Sequence, residues 1–67
     1  MIKIYTDNRN WKYKIGEMLD GGFRGMYQKP NQNRWHSMRL PIRKTFDLAQ
    51  SDLDNYAKTH KFIEVSS

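Results

Sequence analysis

Sixty-seven residues, with twelve Lys or Arg against seven Asp or Glu, make a small basic chain of net charge +5, short enough to bury only about 60% of the surface its unfolded form exposes. Cysteine is absent, which excludes a disulfide framework and a thiolate zinc site, and two histidines do not by themselves make a metal site. The sequence has no apolar run long enough for a signal peptide or a membrane span, so the expected location is cytoplasmic, with no membrane partner and no cofactor.

The first expected strand, Ile2-Lys3-Ile4-Tyr5, alternates apolar and polar residues, and Trp11-Lys12-Tyr13-Lys14-Ile15 repeats the period of two. Asp7-Asn8-Arg9-Asn10 between them carries turn chemistry, because Asn and Asp bond their own backbone and tolerate left-handed conformations. A first hairpin is expected there. Asp20-Gly21-Gly22 is the strongest turn signal, since glycine accepts the positive φ that tight hairpins demand. Phe23 to Lys29 then forms a strand, Pro30-Asn31-Gln32-Asn33 a loop, and Arg34 to Leu40 a further strand closed by Pro41, which cannot donate to a ladder.

From Thr45 the period changes. Phe46, Ala49, Leu53, Tyr56, Ala57 and His60 fall on one side of a helix over about 46–60, with Thr45 as N-cap. Asp47 in the first turn and Lys58 and Lys61 near the last suit the helix dipole. Phe62-Ile63-Glu64-Val65 is a short apolar tail suited to packing back or adding an edge strand, and Ser66-Ser67 is expected to fray. The chain is thus read as one domain over 1–67: an α+β fold in which an antiparallel sheet of three or more strands, over about 1–44, packs against one C-terminal helix. The helix covers one sheet face and leaves the other free.

Charge follows the same division. Residues 1–46 carry ten Lys or Arg against Asp7, Glu17 and Asp20, a net of +7, whereas residues 47–67 carry Lys58 and Lys61 against Asp47, Asp52, Asp54 and Glu64, a net of −2. A basic flank opposite an acidic one suits a polyanionic partner, although moderate net charge also serves solubility alone.

Catalysis finds little support. A phosphate-binding glycine loop, a metal-spaced His or Cys cluster and a nucleophile elbow are all missing from the sequence. His36 beside Asp20 or Glu17 would make a general base, but a strand histidine is far more often a surface or core-edge residue. A non-enzymatic protein is expected. Nucleic-acid binding uses more of what is present: on alternating positions Arg24 and Gln28 point one way and Tyr27 and Lys29 the other, while Trp35 and Arg39 share a side opposite Arg34 and His36. Together with Arg43 and Lys44 these are the candidate nucleic-acid contacts. Arg or Lys reads guanine, Gln reads adenine, and other cations hold phosphates. Trp11, Tyr13, Tyr27 and Trp35 are suited to stacking on unpaired bases, or simply to filling a small core. Lys12 and Lys14 read equally as a solvated strand face or as guards of an exposed sheet edge. Met18, Met26 and Met38 read as gap-filling residues.

Residues 23–57 resemble the sheet-plus-helix DNA-binding domain of plant ethylene-response (Apetala-type) factors and the related arm-type N-terminal domains of phage and transposon integrases. Phe23-Arg24-Gly25-Met26-Tyr27-Gln28-Lys29-Pro30 looks like the family's first strand, Arg34-Trp35 like the basic-tryptophan pair opening the next, and Thr45-Phe46-Asp47 followed by Ala49, Leu53, Tyr56 and Ala57 like its helix. The resemblance implies a sheet lying in the major groove of double-stranded DNA, with Arg24, Lys29, Trp35 and Arg39 as the matching contacts. Tyr27 and Asn31 stand where the plant domains carry Arg and Trp. Leu40 to Lys44 is too short for the family's hairpin before the helix, so a third strand is expected from Trp11 to Leu19. A free-standing domain of this kind also looks like the small proteins of phages and mobile elements. This adds a second class of partner, a host or defence protein or nucleoprotein complex bound by an inhibitor of the anti-CRISPR type.

Overall fold

Turn chemistry decides where this chain reverses. The structure is a computed structural model and describes residues 3–65. Strand β1, Tyr5–Thr6, pairs antiparallel with β2, Lys12–Glu17, placing Tyr5 opposite Tyr13 and Thr6 opposite Lys12. The Asp7 carboxylate shapes the turn by accepting the backbone N–H of Arg9 at 2.9 Å and of Trp11 at 3.1 Å, while Asn10 adopts φ 65°, a conformation Asn tolerates better than most residues. The first strand is shorter than its alternation predicts, with Lys3 and Ile4 outside it. Ile2, like the tail residues Ser66 and Ser67, lies outside the described residues.

The turn at Asp20-Gly21-Gly22 forms as expected. Gly21 sits at φ 92°, and the Met18 N–H donates to the Gly22 carbonyl at 2.6 Å. It joins β2 to β3, Phe23–Gln28, and all six residues of each strand pair, from Glu17 opposite Phe23 to Lys12 opposite Gln28. The third strand expected upstream of the Phe23 run is therefore β2, and the first hairpin belongs to the same sheet.

The strand expected over Arg34 to Leu40 is reduced to β4, His36–Ser37. After Ser37 pairs with Met26, the Met38 N–H still reaches the Gly25 carbonyl at 2.9 Å, and backbone pairing between the two segments resumes at Phe23 and Arg43. Between those points Arg24 and Gly25 on β3 face a five-residue detour, Met38 to Ile42. The cause is packing: Gly25 has no side chain, and the space above it is filled by Met38 and Leu40, whose Sδ and Cδ1 would each stand 3.0 Å from a Cβ there. Pro41, lacking an N–H, could not have continued the ladder.

The helix α1, Phe46–His60, has the predicted limits and cap: Thr45 Oγ1 accepts the Leu48 N–H at 3.2 Å. Its C-terminus closes with Lys61 at φ 60° and the Phe62 N–H donating to the Ala57 carbonyl at 2.8 Å. The chain then adds β5, Ile63–Glu64, as an edge strand beside β1, giving an antiparallel sheet of order β4-β3-β2-β1-β5. Since β2 lies between β1 and β3, Lys12, paired with Thr6 on one side and Gln28 on the other, does not guard an open edge, whereas Lys14 pairs with Met26 on the β3 side.

Ala49, Leu53 and Ala57, four residues apart, form the buried stripe of α1 against Tyr5, Tyr13, Ile15 and Met38 of the sheet layer. Two alanines in the stripe let the helix approach closely, and Phe62 closes the core by stacking on Tyr13 with centroids 4.1 Å apart. The acidic helix is tied to the basic sheet: Arg43 grips Asp52 through two nitrogens at 2.7 and 3.2 Å, and Asp54 accepts from Tyr5 at 2.6 Å, from Gln50 at 2.9 Å and from Lys3 at 3.4 Å.

These carboxylates make stability depend on pH. Burial pushes the Asp54 carboxyl up, but the hydrogen bonds from Tyr5 and Gln50 and the charge of Lys3 outweigh it and hold it below the usual range. Burial likewise pushes Asp7 up, and the Tyr13 hydroxyl, the Arg9 and Trp11 N–H groups and the Arg9 side chain outweigh that too. A depressed folded-state value contributes stability above the unfolded value of about 3.9 and loses it as pH falls through the folded one. Tyr13 acts at the other end. Burial, then its bond to Asp7, pushes its hydroxyl up to about 12, so its contribution is complete below about pH 10 and lost as pH rises through the folded value. The thermal midpoint followed by circular dichroism should therefore fall on both flanks, with the acid flank shallower in an Asp7→Asn/Asp54→Asn double variant. An acid flank unchanged in that variant would assign it to other groups.

Candidate nucleic-acid interface

Alternation along β2 sends Tyr13 and Ile15, 4% and 5% exposed, to the helix, and therefore Lys12, Lys14 and Gly16 to the opposite face. Cross-strand register extends that face to Arg24, Met26 and Gln28 on β3, Thr6 on β1 and Ser37 on β4. Gly16 lets Met26 lie flat across the sheet: a Cβ at Gly16 would stand 2.7 Å from the Met26 Cγ. Trp35, half-buried just before β4, sits under the Lys14 ammonium, 4.4 Å from its ring. The Arg24 Nε–H donates to the Leu40 carbonyl at 2.8 Å, which fixes the guanidinium and leaves its terminal nitrogens available.

No Asp or Glu among the described residues stands on this face. Asp7 bonds Arg9 and Tyr13 on the helix side; Glu17 opposes Phe23 and Glu64 opposes Tyr5 in the helix-facing rows; Asp20 lies in a turn; and Asp47, Asp52 and Asp54 are on α1. At one end the face runs into a cleft of about 400 Å³, lined by Asn10, Lys12, Gln28, Lys29 and the Pro30–Asn33 loop. Five carboxamides and two ammonium groups line it, a donor-rich set for phosphate oxygens and base edges.

The sequence candidates divide among three places. Arg24, Gln28 and Trp35 share the open face. Lys29 belongs to the helix-side row, its ammonium 5.2 Å from the Trp11 ring, although it also reaches the wall of the cleft. Arg39 lies in the detour after β4 and lines a groove with Tyr27 and Tyr56 on the helix side. Arg34 is exposed in the β3–β4 connection, Lys44 is exposed beside the Asp20-Gly21-Gly22 turn, and Arg43 is held by Asp52. Lys12 and Lys14, read from sequence only as a solvated face or an edge guard, are the two further cations of the open face. The signal was their own alternation with Trp11, Tyr13 and Ile15.

His36 packs at a tilt against Tyr27, with ring centroids 5.3 Å apart and planes 31° from parallel. Glu17 pairs with Phe23, four residues away along β3, roughly 13 Å at strand rise, so neither it nor Asp20 beyond it stands beside this histidine. Among the described residues no cluster of three His, Cys, Asp or Glu could hold a metal ion, and no helix is long and apolar enough to cross a membrane.

The fold and its surface define a small α+β domain, a five-stranded antiparallel sheet covered on one face by a single helix. Comparison with protein-family models, curated proteins and solved structures returns no match.

Proposed function

We propose that this domain binds double-stranded DNA through the open face of its sheet. The observation that carries the reading is charge segregation: Lys12, Lys14 and Arg24 project from a face without a carboxylate, while the acidic residues lie on the helix side or at the turns. Two antiparallel strands form a ribbon of a size the major groove admits, that groove being about 12 Å wide. The β2–β3 hairpin is such a ribbon. Lys12, Lys14 and Arg24 hold phosphates, and Gln28 with the carboxamides of the Asn31–Asn33 loop reaches base edges, adenine by preference. The resemblance of residues 23–57 to the sheet domains of ethylene-response factors points to the same ligand.

The test is fluorescence anisotropy of a labelled duplex titrated across a salt series, with single-stranded DNA and duplex RNA alongside. Three phosphate contacts give a slope of log K against log salt of about −2.7. A-form RNA, whose major groove is too deep and narrow for a ribbon, binds more weakly. Absence of duplex binding at low salt would sink the reading and turn attention to a protein partner.

A further inference from the structure

On the helix side, at the margin of the core and lined in part by the core residues Tyr13 and Met38, the sheet carries a groove of about 280 Å³ that the proposed DNA face does not use. Its walls are aromatic and cationic. Trp11 and Tyr27 stack with centroids 5.5 Å apart and planes 16° from parallel, and Tyr56 faces them from α1. Arg9 and Arg39 stand at the rim. Arg9 lies 3.9 Å from the Trp11 ring and is neutralised by Asp7 at 3.1 Å, whereas Arg39 is exposed and has no ion pair among the described residues. Among the described residues the hydroxyls of Tyr27 and Tyr56 make no hydrogen bond, unlike those of Tyr5 and Tyr13, which are bonded to carboxylates.

We infer that this groove is a site for one unpaired nucleotide, a planar ring bearing a phosphate. The volume lies at the small end of ligand sites, room for one such unit and little more. The edges of the aromatic lining, and the faces left by Arg9 on Trp11, His36 on Tyr27 and His60 on Tyr56, take the ring in a mode tolerant of base identity. The charge of Arg39 selects an anionic substituent and disfavours the quaternary cations that aromatic cages otherwise attract. The two phenol donors supply hydrogen bonds to phosphate or base edge. A free mononucleotide and a nucleotide within a single strand offer the same chemistry.

The two tryptophans lie on opposite faces, Trp11 in this groove and Trp35 on the open face, and so report on the two sites separately. In Trp35→Phe, titration with adenosine monophosphate and with a short single-stranded oligoadenylate is followed by Trp11 fluorescence. Quenching by both supports the site with a free nucleotide as ligand, and quenching by the oligomer alone supports it with a strand. Arg39→Ala, at an exposed position, should weaken binding of the quenching ligand about tenfold. Failure of both ligands to change Trp11 fluorescence at millimolar concentration, or quenching indifferent to Arg39→Ala, overturns the inference. Trp11→Phe, read through Trp35 against duplex DNA, tests the open face in parallel, so the loss of one site is distinguishable from the loss of the other.

Discussion

Replacing Lys12 and Lys14 together by alanine is expected to weaken duplex DNA binding about sixtyfold at 0.1 M salt and to make the salt slope shallower by about 1.8. The magnitude comes from counterion release: each phosphate contact contributes about 0.9 to the slope, or roughly eightfold in affinity at that salt. Folding should survive, because both side chains project from the open face and such surface changes usually alter stability by about 0.5 kcal/mol or less. Loss of the Lys14 contact with Trp35 adds up to about 1 kcal/mol. The control is Arg39→Ala. It removes one positive charge, half as many, from the helix side, and screening over about 10 Å at 0.1 M ionic strength should keep its effect on duplex affinity to about twofold. Equal losses per charge removed, measured by anisotropy, would mean that the chain attracts DNA by net charge without a defined face.

Leu53→Ala should unfold the domain to a large extent. Leu53 is the one fully buried large side chain among the described residues, at 0% exposure, and its neighbours along the helix stripe are Ala49 and Ala57. Neither is large enough to fill the cavity left behind. Burial of a leucine in such a site is worth about 2–5 kcal/mol on truncation, against a total of about 3–10 kcal/mol for a chain of this length. At roughly 4–8 °C per kcal/mol the thermal midpoint falls by about 10–40 °C. The comparison is Leu48→Ala, at a half-exposed position in the first helical turn, where about 0.5 kcal/mol is expected. A midpoint lowered equally by both substitutions would mean that the helix is not seated on the sheet through the Ala49-Leu53-Ala57 stripe.

The proposed site and the core share a cause. The alternation that buries Tyr13 and Ile15 is the same one that turns Lys12 and Lys14 outward, so the basic face is the reverse side of the packing that makes the fold. Tyr27 departs from the arginine of the plant domains in the helix-facing row, where it stacks on Trp11 and carries the groove rather than the open face. The detour after β4 has a functional consequence as well. By leaving the ladder at Met38 it carries Arg39 to the helix side, away from Arg24 and Trp35.

Amino-acid order alone determined the elements whose causes are local. Thr45 capping a helix of four-residue period, Asp20-Gly21-Gly22 reversing the chain, and the alternation on either side of it depend on residues a few positions apart. That is also why the faces along β3 were legible, Arg24 and Gln28 having to oppose Tyr27 and Lys29, whereas the side shared by Trp35 and Arg39 was lost with the strand that was to hold them. Tertiary structure decided what depends on contacts distant in sequence. The vacancy at Gly25 drew in Met38 and Leu40 and cut β4 to two residues. Asp52 took Arg43 from the candidate contacts, and β5 joined β1 only because the helix returned the chain to that edge. Which cations share a surface was settled last, because side-chain parity follows the local period whereas the position of a strand in the sheet follows from packing the whole chain.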